Sequence, residues 1–247
     1  MLHVQRRSLA NLLPRHHLAF MVSTSYDSVI ASADEVQVKL MEEMVIQVDE
    51  QDNVVGPISK KDSHFKDGVL HRAFSVFLFN SDNQLLIQKR AAEKITFPSF
   101  WANTCCSHPL YFPEELEEKN HLGVKRAAIR KLEHELGIKT DTFQPEQFKF
   151  LTKVLYRAPY DENWSEYEVD HILLVRADVK YELNENEVAE VRYVARDELE
   201  NVLNDPSMLI SPWFRLISEG LLPQWWNDLD NVLAKDNDNV VINNYIQ

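Results

Sequence analysis

Apolar residues fall along this chain in short blocks of two different periods. His71–Phe79 (HRAFSVFLF) is apolar and aromatic almost throughout, and residues 84–90 (QLLIQKR) form a second such block. The polar residues 80–83 (NSDN) between them predict a turn joining two strands. Met44–Val48 reads as a short strand followed by a polar turn at 49–53, and residues 152–157, 168–175 and 191–194 read as further strands. A different period governs Leu122–Leu136, where Leu122, Ile129, Leu132 and Leu136 recur at helical spacing and Gly137 supplies the stop. Asp197 is placed to cap a helix running through Leu203. Ser211-Pro212 is placed to start another, with Ser as cap and Pro in the first turn. Strands and helices in this order predict an α+β or α/β fold, a mixed sheet in a sandwich flanked by helices.

Since the globular pattern begins near Met44, residues 1–43 read as an N-terminal extension, 44–240 as one domain, and 241–247 as a tail already fraying at 236–239. The stretch 1–26 has no Asp or Glu but holds Arg6, Arg7 and Arg15, a composition similar to a mitochondrial presequence. Equally open is a disordered extension ahead of an internal start at Met21, Met41 or Met44. No apolar run approaches the roughly 18 residues of a membrane helix, so no membrane span is expected. The only cysteines are the adjacent Cys105 and Cys106, which cannot build a secreted disulfide framework; a reducing, cytoplasmic setting is expected.

The formal net charge of -13 excludes a non-specific nucleic-acid binder. Charge is uneven, however. Residues 54–112 carry seven basic side chains against four acidic ones, a basic island suited to a small anionic ligand. Within it, Lys60, Arg90 and Lys94 are candidates for holding phosphate oxygens. Glu166 and Glu168, two apart at the start of a strand, share a face, and two carboxylates so close are costly without a cation. An isolated Glu-x-Glu is more often a solvated strand edge. His64, His71 and His108 change that balance, since imidazoles and carboxylates together form a mixed nitrogen/oxygen set for zinc, manganese or magnesium. Cys106, two residues before His108, shares its face in an extended chain, and a metal or basic neighbour would lower its pKa and make it a base. Glu135 is a candidate ligand for a second, phosphate-bridging magnesium.

Several segments together resemble the type I isopentenyl-diphosphate isomerases of the Nudix superfamily: LHRAFSVFLF (70–79), KRAAEKITFP (89–98), NTCCSHPL (103–110), HELGI (134–138), WSEYEVD (164–170) and SPW (211–213). The resemblance runs from about Met44 to Trp225 and Trp226, which are read as core. It implies an α/β/α-type sandwich on a Nudix core and interconversion of isopentenyl and dimethylallyl diphosphates by a monomer acting on a small diphosphate. Carried over by motif, Cys106 and Glu168 are the acid/base pair, with Tyr156 and Trp213 beside them. His64, His71, His108, Glu166 and Glu168 hold a divalent metal; Glu135 holds magnesium on the diphosphate; Lys60, Arg90, Lys94 and Ser107 contact it. Trp101 is a second candidate beside Trp213 for stabilising a carbocation. The hydrolase box Arg-Glu-U-x-Glu-Glu-x-Gly-U (U aliphatic) is degenerate: in RKLEHELGI (130–138), Lys131 and His134 replace two of its glutamates. That departure argues against the rival reading, a Nudix pyrophosphohydrolase. A non-catalytic metal-binding protein and a cysteine hydrolase are weaker rivals, because neither accounts for an acid/base pair beside a basic island.

Overall fold

The computed structural model describes residues 25–234 and 241–246. Two short helices, α1 (Tyr26–Ile30) and α2 (Glu35–Leu40), lead into the antiparallel pair β1 (Met44–Val48) and β2 (Val54–Ser59), then α3 (Lys60–His64). Next come β3 (His71–Phe79), β4 (Leu85–Arg90), the short β5 (Trp101–Ala102) and β6 (Cys105–Ser107), and α4 (Leu122–Leu136). The long β7 (Lys149–Pro159) and β8 (Ser165–Arg176) form a hairpin, followed by β9 (Val188–Val194). The chain closes with α5 (Leu199–Asn204), α6 (Pro212–Gly220), α7 (Leu222–Asn227), α8 (Leu229–Ala234) and β10 (Ile242–Asn244). All the strands join one mixed, branched sheet. Its main path is β10-β7-β8-β3-β1-β2, and β4 links β3 to β5 and β9.

β3 is the spine, with all nine of its residues buried. It pairs in parallel with β8 along its whole length, from His71 opposite Glu168 to Phe79 opposite Arg176. A strand covered on both faces needs apolar residues at successive positions, as its sequence provides. Alternation then sorts them. Phe77 and Phe79 join Ile172, Leu174, Trp213, Phe214 and Trp226 in a core under α5 to α8. Phe74, Val76 and Leu78 join Leu173, Val175, Leu132 and Leu136 in a second core under α4. The result is the expected sandwich, a mixed sheet between two helical layers.

Four expectations need correction. The residues before Met44 are not all separate from the domain. Tyr26 packs edge-on against Phe65 and Trp164, with ring centroids 5.8 and 5.9 Å away, and the Gln37 amide of α2 bonds to Asn186 and Glu187. Most of the presequence-like stretch lies outside the described residues, as does 236–239. The segment expected as a tail instead adds an edge strand: β10 runs parallel to β7, with Ile242 opposite Lys153, satisfying backbone groups that an open edge would leave unpaired. The turn before α5 is closed by Glu198 Oε2 accepting the Ala195 N–H at 2.9 Å, not by Asp197. Ser211 does occupy the cap position of α6, but its hydroxyl is buried without a partner.

α4 ends where its sequence says it must. Gly137 has φ +64, a left-handed conformation, and its N–H returns to the Glu133 carbonyl at 2.9 Å. A Cβ there would also meet the Glu182 carbonyl oxygen at 2.3 Å. Gly137→Ala is therefore expected to destabilise the fold by about 2 kcal/mol or more. Chemical denaturation is the check, with a lowered midpoint at unchanged slope as the result.

Candidate active site

Strand register builds the site. β3 and β8 place His71 opposite Glu168, and the antiparallel β7–β8 pairing places Tyr156 opposite the same Glu168. Three side chains from three strands thus stand in one row. Because side chains alternate faces, Glu166 joins that row's face from two residues upstream, and Ala158 opposite it leaves room. β6 pairs with β3 so that Cys106 lies opposite Ser75 and Cys105 opposite Val76. The two cysteines consequently part: Cys105 is in the core under α4, and Cys106 faces the site. α3, missed in the sequence, is one turn capped by Ser59 that delivers His64.

The five predicted metal ligands converge. His64, His71, His108, Glu166 and Glu168 are all buried, and one ligand atom from each lies within 4.8 Å of all the others. Hydrogen bonding fixes the tautomers of two histidines. His64 Nδ1 lies 2.7 Å from the Lys60 carbonyl oxygen, and His71 Nδ1 lies 2.7 Å from that of Val69. A carbonyl only accepts, so each Nδ1 carries a proton and each Nε2 is turned toward the carboxylates, where it can take a second proton or a metal ion. His64 Nε2 then faces Glu166 Oε2 at 2.8 Å, and His71 Nε2 faces Glu168 Oε1 at 3.6 Å. His108 Nε2 lies 2.8 Å from Glu168 Oε1. Acceptors buried face to face repel unless a cation stands between them, and a histidine donating its other N–H to a carbonyl is the usual support of a metal ligand. The residues fit a divalent ion.

Ionisation follows the same logic. Burial, then the neighbouring His71 and His64, hold His108 neutral, well below the usual imidazole range. Burial opposes the charge on Glu166, but His64 outweighs it and the carboxyl stays below its ordinary value. Glu168 behaves alike: against burial, His71 and the Tyr156 hydroxyl, which donates to Oε2 at 2.5 Å, keep it ionised. Two residues on, Asp170 is driven well above its usual range by burial and by Glu168, though Ser75 Oγ donates to it at 2.8 Å. Burial pushes the Cys106 thiol up to about 12, and Arg90, with an N–H 3.9 Å from Sγ, offsets this only in part against Glu135, Glu168 and Asp170. Among the side chains themselves, the carboxylates and the loss of water outweigh one guanidinium and favour the thiol, and a divalent ion on the neighbouring ligands would pull the other way.

A single cavity takes in every candidate site residue named from the sequence except Trp101 and His71, the latter standing behind it in the ligand set. Arg90 is held by the carbonyls of Phe97 and Thr96 at 3.0 and 2.7 Å and lies 5.7 Å from the centre of the Trp213 ring. Trp101 does not line the cavity; its ring packs in the core, faced by Arg192. Trp226 is core, as read, with its indole N–H on the Asn83 carbonyl. Burial, reinforced by Lys94 and Lys131 and opposed by Glu43 and Glu187, lowers Lys60 to about 8. Sequence reasoning missed three members of this neighbourhood: Gln37, Lys131 as a partner, and Glu187. Lys131 Nζ lies 3.2 Å from Glu135 Oε1, and Gln88 donates to Glu135 Oε2 at 3.1 Å.

Comparison with known proteins agrees with this geometry. A NUDIX domain model matches residues 69–214. The isopentenyl-diphosphate delta-isomerase of Gibberella zeae is 50% identical over 83% of this chain and 84% of its own. The corresponding Bos taurus isomerase is 46% identical over 81% of this chain and 91% of its own. The chain belongs to the isopentenyl-diphosphate isomerase family of NUDIX-domain proteins. Solved structures extend the likeness of fold alone. A Deinococcus radiodurans protein superposes with TM-score 0.53 at 18% identity, covering 72% of this chain and 99% of its own. A NUDIX hydrolase from Alicyclobacillus acidocaldarius does so with TM-score 0.51 at 8% identity, covering 68% and 97%. Within this isomerase family member, the degenerate box has a structural meaning: Lys131 puts an ammonium against Glu135 where a hydrolase box has a carboxylate.

If a cation relieves the opposed lone pairs, a divalent ion at about 100-fold over its Kd should raise the unfolding free energy by about 2.7 kcal/mol. Melting curves with Mn2+, Mg2+ or Zn2+ and with chelator measure this. Glu166→Gln and His71→Ala should each abolish most of the metal-dependent shift, and a melting temperature indifferent to all three ions would refute the assignment.

Proposed function

We propose that this protein interconverts isopentenyl and dimethylallyl diphosphates, a double-bond transposition in isoprenoid synthesis, and that Cys106 and Glu168 exchange the protons. The observation that carries the reading is that both groups, with Tyr156 on Glu168, face one cavity lined at another part by Lys60, Arg90 and Lys94. An isolated alkene is a weak base, and its protonation gives a tertiary carbocation. The site must therefore supply an acid, a base and a dry enclosure.

One side of the substrate takes a proton at the terminal methylene, and the other loses one from the carbon next to the oxygenated carbon. The family pattern assigns donation to Glu168 through Tyr156 and acceptance to Cys106. When Cys106 enters as a thiol and Glu168 as a carboxylate, the same pair works from the opposite end, with Cys106 donating and Glu168 accepting. The two assignments are the two directions of one reversible exchange. Trp213 offers an indole face to the cation, an interaction worth about 2 kcal/mol when desolvated. A divalent ion held by His64, His71, His108, Glu166 and Glu168 would supply fixed positive charge that keeps Glu168 ionised. The metal there is Mg2+, Mn2+ or Zn2+ on donor chemistry. Glu135 would hold Mg2+ on the diphosphate, sharing its oxygens with Lys131 and Gln88. Two free cysteines suit a reducing, cytoplasmic compartment; relatives in Arabidopsis thaliana are named chloroplastic. No helix among the described residues is long and apolar enough to cross a membrane.

Incubation with isopentenyl diphosphate and Mg2+ in deuterated water is the direct test, with deuterium expected in the allylic product. Cys106→Ala and Glu168→Gln should each lower kcat by about 1,000-fold or more with the fold intact, since each removes one half of the proton exchange. Cys105→Ala should be mild. Equal loss at both cysteines, or release of phosphate from the substrate, would sink the reading.

A further inference from the structure

The lysines beside the cavity have a carboxylate of their own that no motif pointed to. Glu187, just before β9, is buried. Its Oε2 lies 2.7 Å from Lys94 Nζ and 3.8 Å from Lys131 Nζ, and its Oε1 accepts from the Gln37 amide at 3.0 Å. Its backbone is equally tied. The carbonyl accepts from Ala91 N–H at 3.0 Å, and the N–H donates to the Asn184 carbonyl at 2.8 Å. Asn184 N–H in turn donates to the Glu135 carbonyl at 3.0 Å. One side chain thereby joins the loop after β4, helix α4 and the N-terminal helix α2.

A lysine ammonium on a flexible stem has no fixed direction until a partner supplies one. We propose that Glu187 is a positioning residue for diphosphate binding: it fixes the Lys94 ammonium at the cavity wall, and Gln37 fixes the Glu187 carboxylate. Lys94 lines the cavity and Glu187 does not, so the carboxylate acts from behind the cation rather than on the substrate. Gln37 lines the cavity as well and comes from a segment upstream of the NUDIX match, which begins at residue 69. The N-terminal helix is in this way part of the anion site's construction.

The meaning of the cations rests on the isomerase reading, so the probe is inorganic pyrophosphate with Mg2+, whose binding is measured without turnover. Calorimetric titration of Glu187→Gln should show binding weakened about tenfold, with KM for isopentenyl diphosphate raised in parallel and kcat within about threefold of wild type. Gln37→Ala should shift affinity and KM the same way by about threefold. In a double-mutant cycle, adding Glu187→Gln to Lys94→Met should change binding by less than about twofold, because the route through Lys94 is already gone. Unchanged pyrophosphate affinity in folded Glu187→Gln, or an undiminished effect on the Lys94→Met background, overturns the proposal. Should Glu187→Gln not fold, unchanged affinity in Gln37→Ala overturns it. If wild type binds pyrophosphate with this pattern but does not isomerise, the isomerase reading fails and the positioning role stands.

Discussion

The parallel register between β3 and β8 is the constraint on which the site depends. It sets His71 beside Glu168, and through the β7–β8 hairpin it sets Tyr156 on the other side of the same carboxylate. A slip of one residue would turn all of these side chains to the face covered by α4. What prevents the slip is the core on both faces. Phe77 and Phe79 belong to one helical layer, and Phe74, Val76 and Leu78 to the other, so a strand shifted by one residue would put Ser75 where Phe74 or Val76 now packs. Catalytic geometry and fold stability are therefore enforced by the same packing.

On that frame, two unlike charge groups meet. The His64–Glu166 and His71–Glu168 contacts make a dense cluster of lone pairs that favours a cation, whereas Lys60, Arg90 and Lys94 favour an anion. Burial amplifies both, since water that would screen them is removed. It also raises the cost of each charge, so each group is supported from behind: by the carbonyls of Lys60 and Val69 for the histidines, and by those of Phe97 and Thr96 for Arg90. A diphosphate ester with a short hydrocarbon tail suits such a cavity, its charged end among the cations and its apolar end near Cys106, Tyr156 and Trp213.

Much of this was legible in the sequence because it is written in local pattern. The bounds of β3 and α4 follow from nine successive strand-forming residues and from a helical repeat closed by Gly137. Glu166 and Glu168 sharing a face follows from the period of a strand. Long-range partners were not legible. Nothing near Gln37 or Glu187 in sequence hints that they meet, and β10 is three residues whose only signal is the edge of β7. The balance of charge around Cys106 was not legible either, because the basic neighbour, Arg90, is visible in the sequence while the surrounding carboxylates and the depth of burial are not.

The same scaffold serves hydrolysis in its structural relatives, so what this chain does differently must lie in side chains. Hydrolysis requires carboxylates that bind metal and activate water against phosphorus. Here Lys131 occupies a box position and places its ammonium on Glu135, with His134 Nδ1 2.9 Å from the same nitrogen. A positive group at that point suits a diphosphate and stands where a hydrolase box has a carboxylate. Meanwhile the groups proposed to exchange protons, Cys106 and Glu168, sit on other strands, β6 and β8. In the proposed reaction, separation of the charge-binding end from the reacting end would let the diphosphate act as a handle: its binding energy would hold a weakly basic alkene between Cys106 and Glu168, where it has no polar group of its own to anchor it.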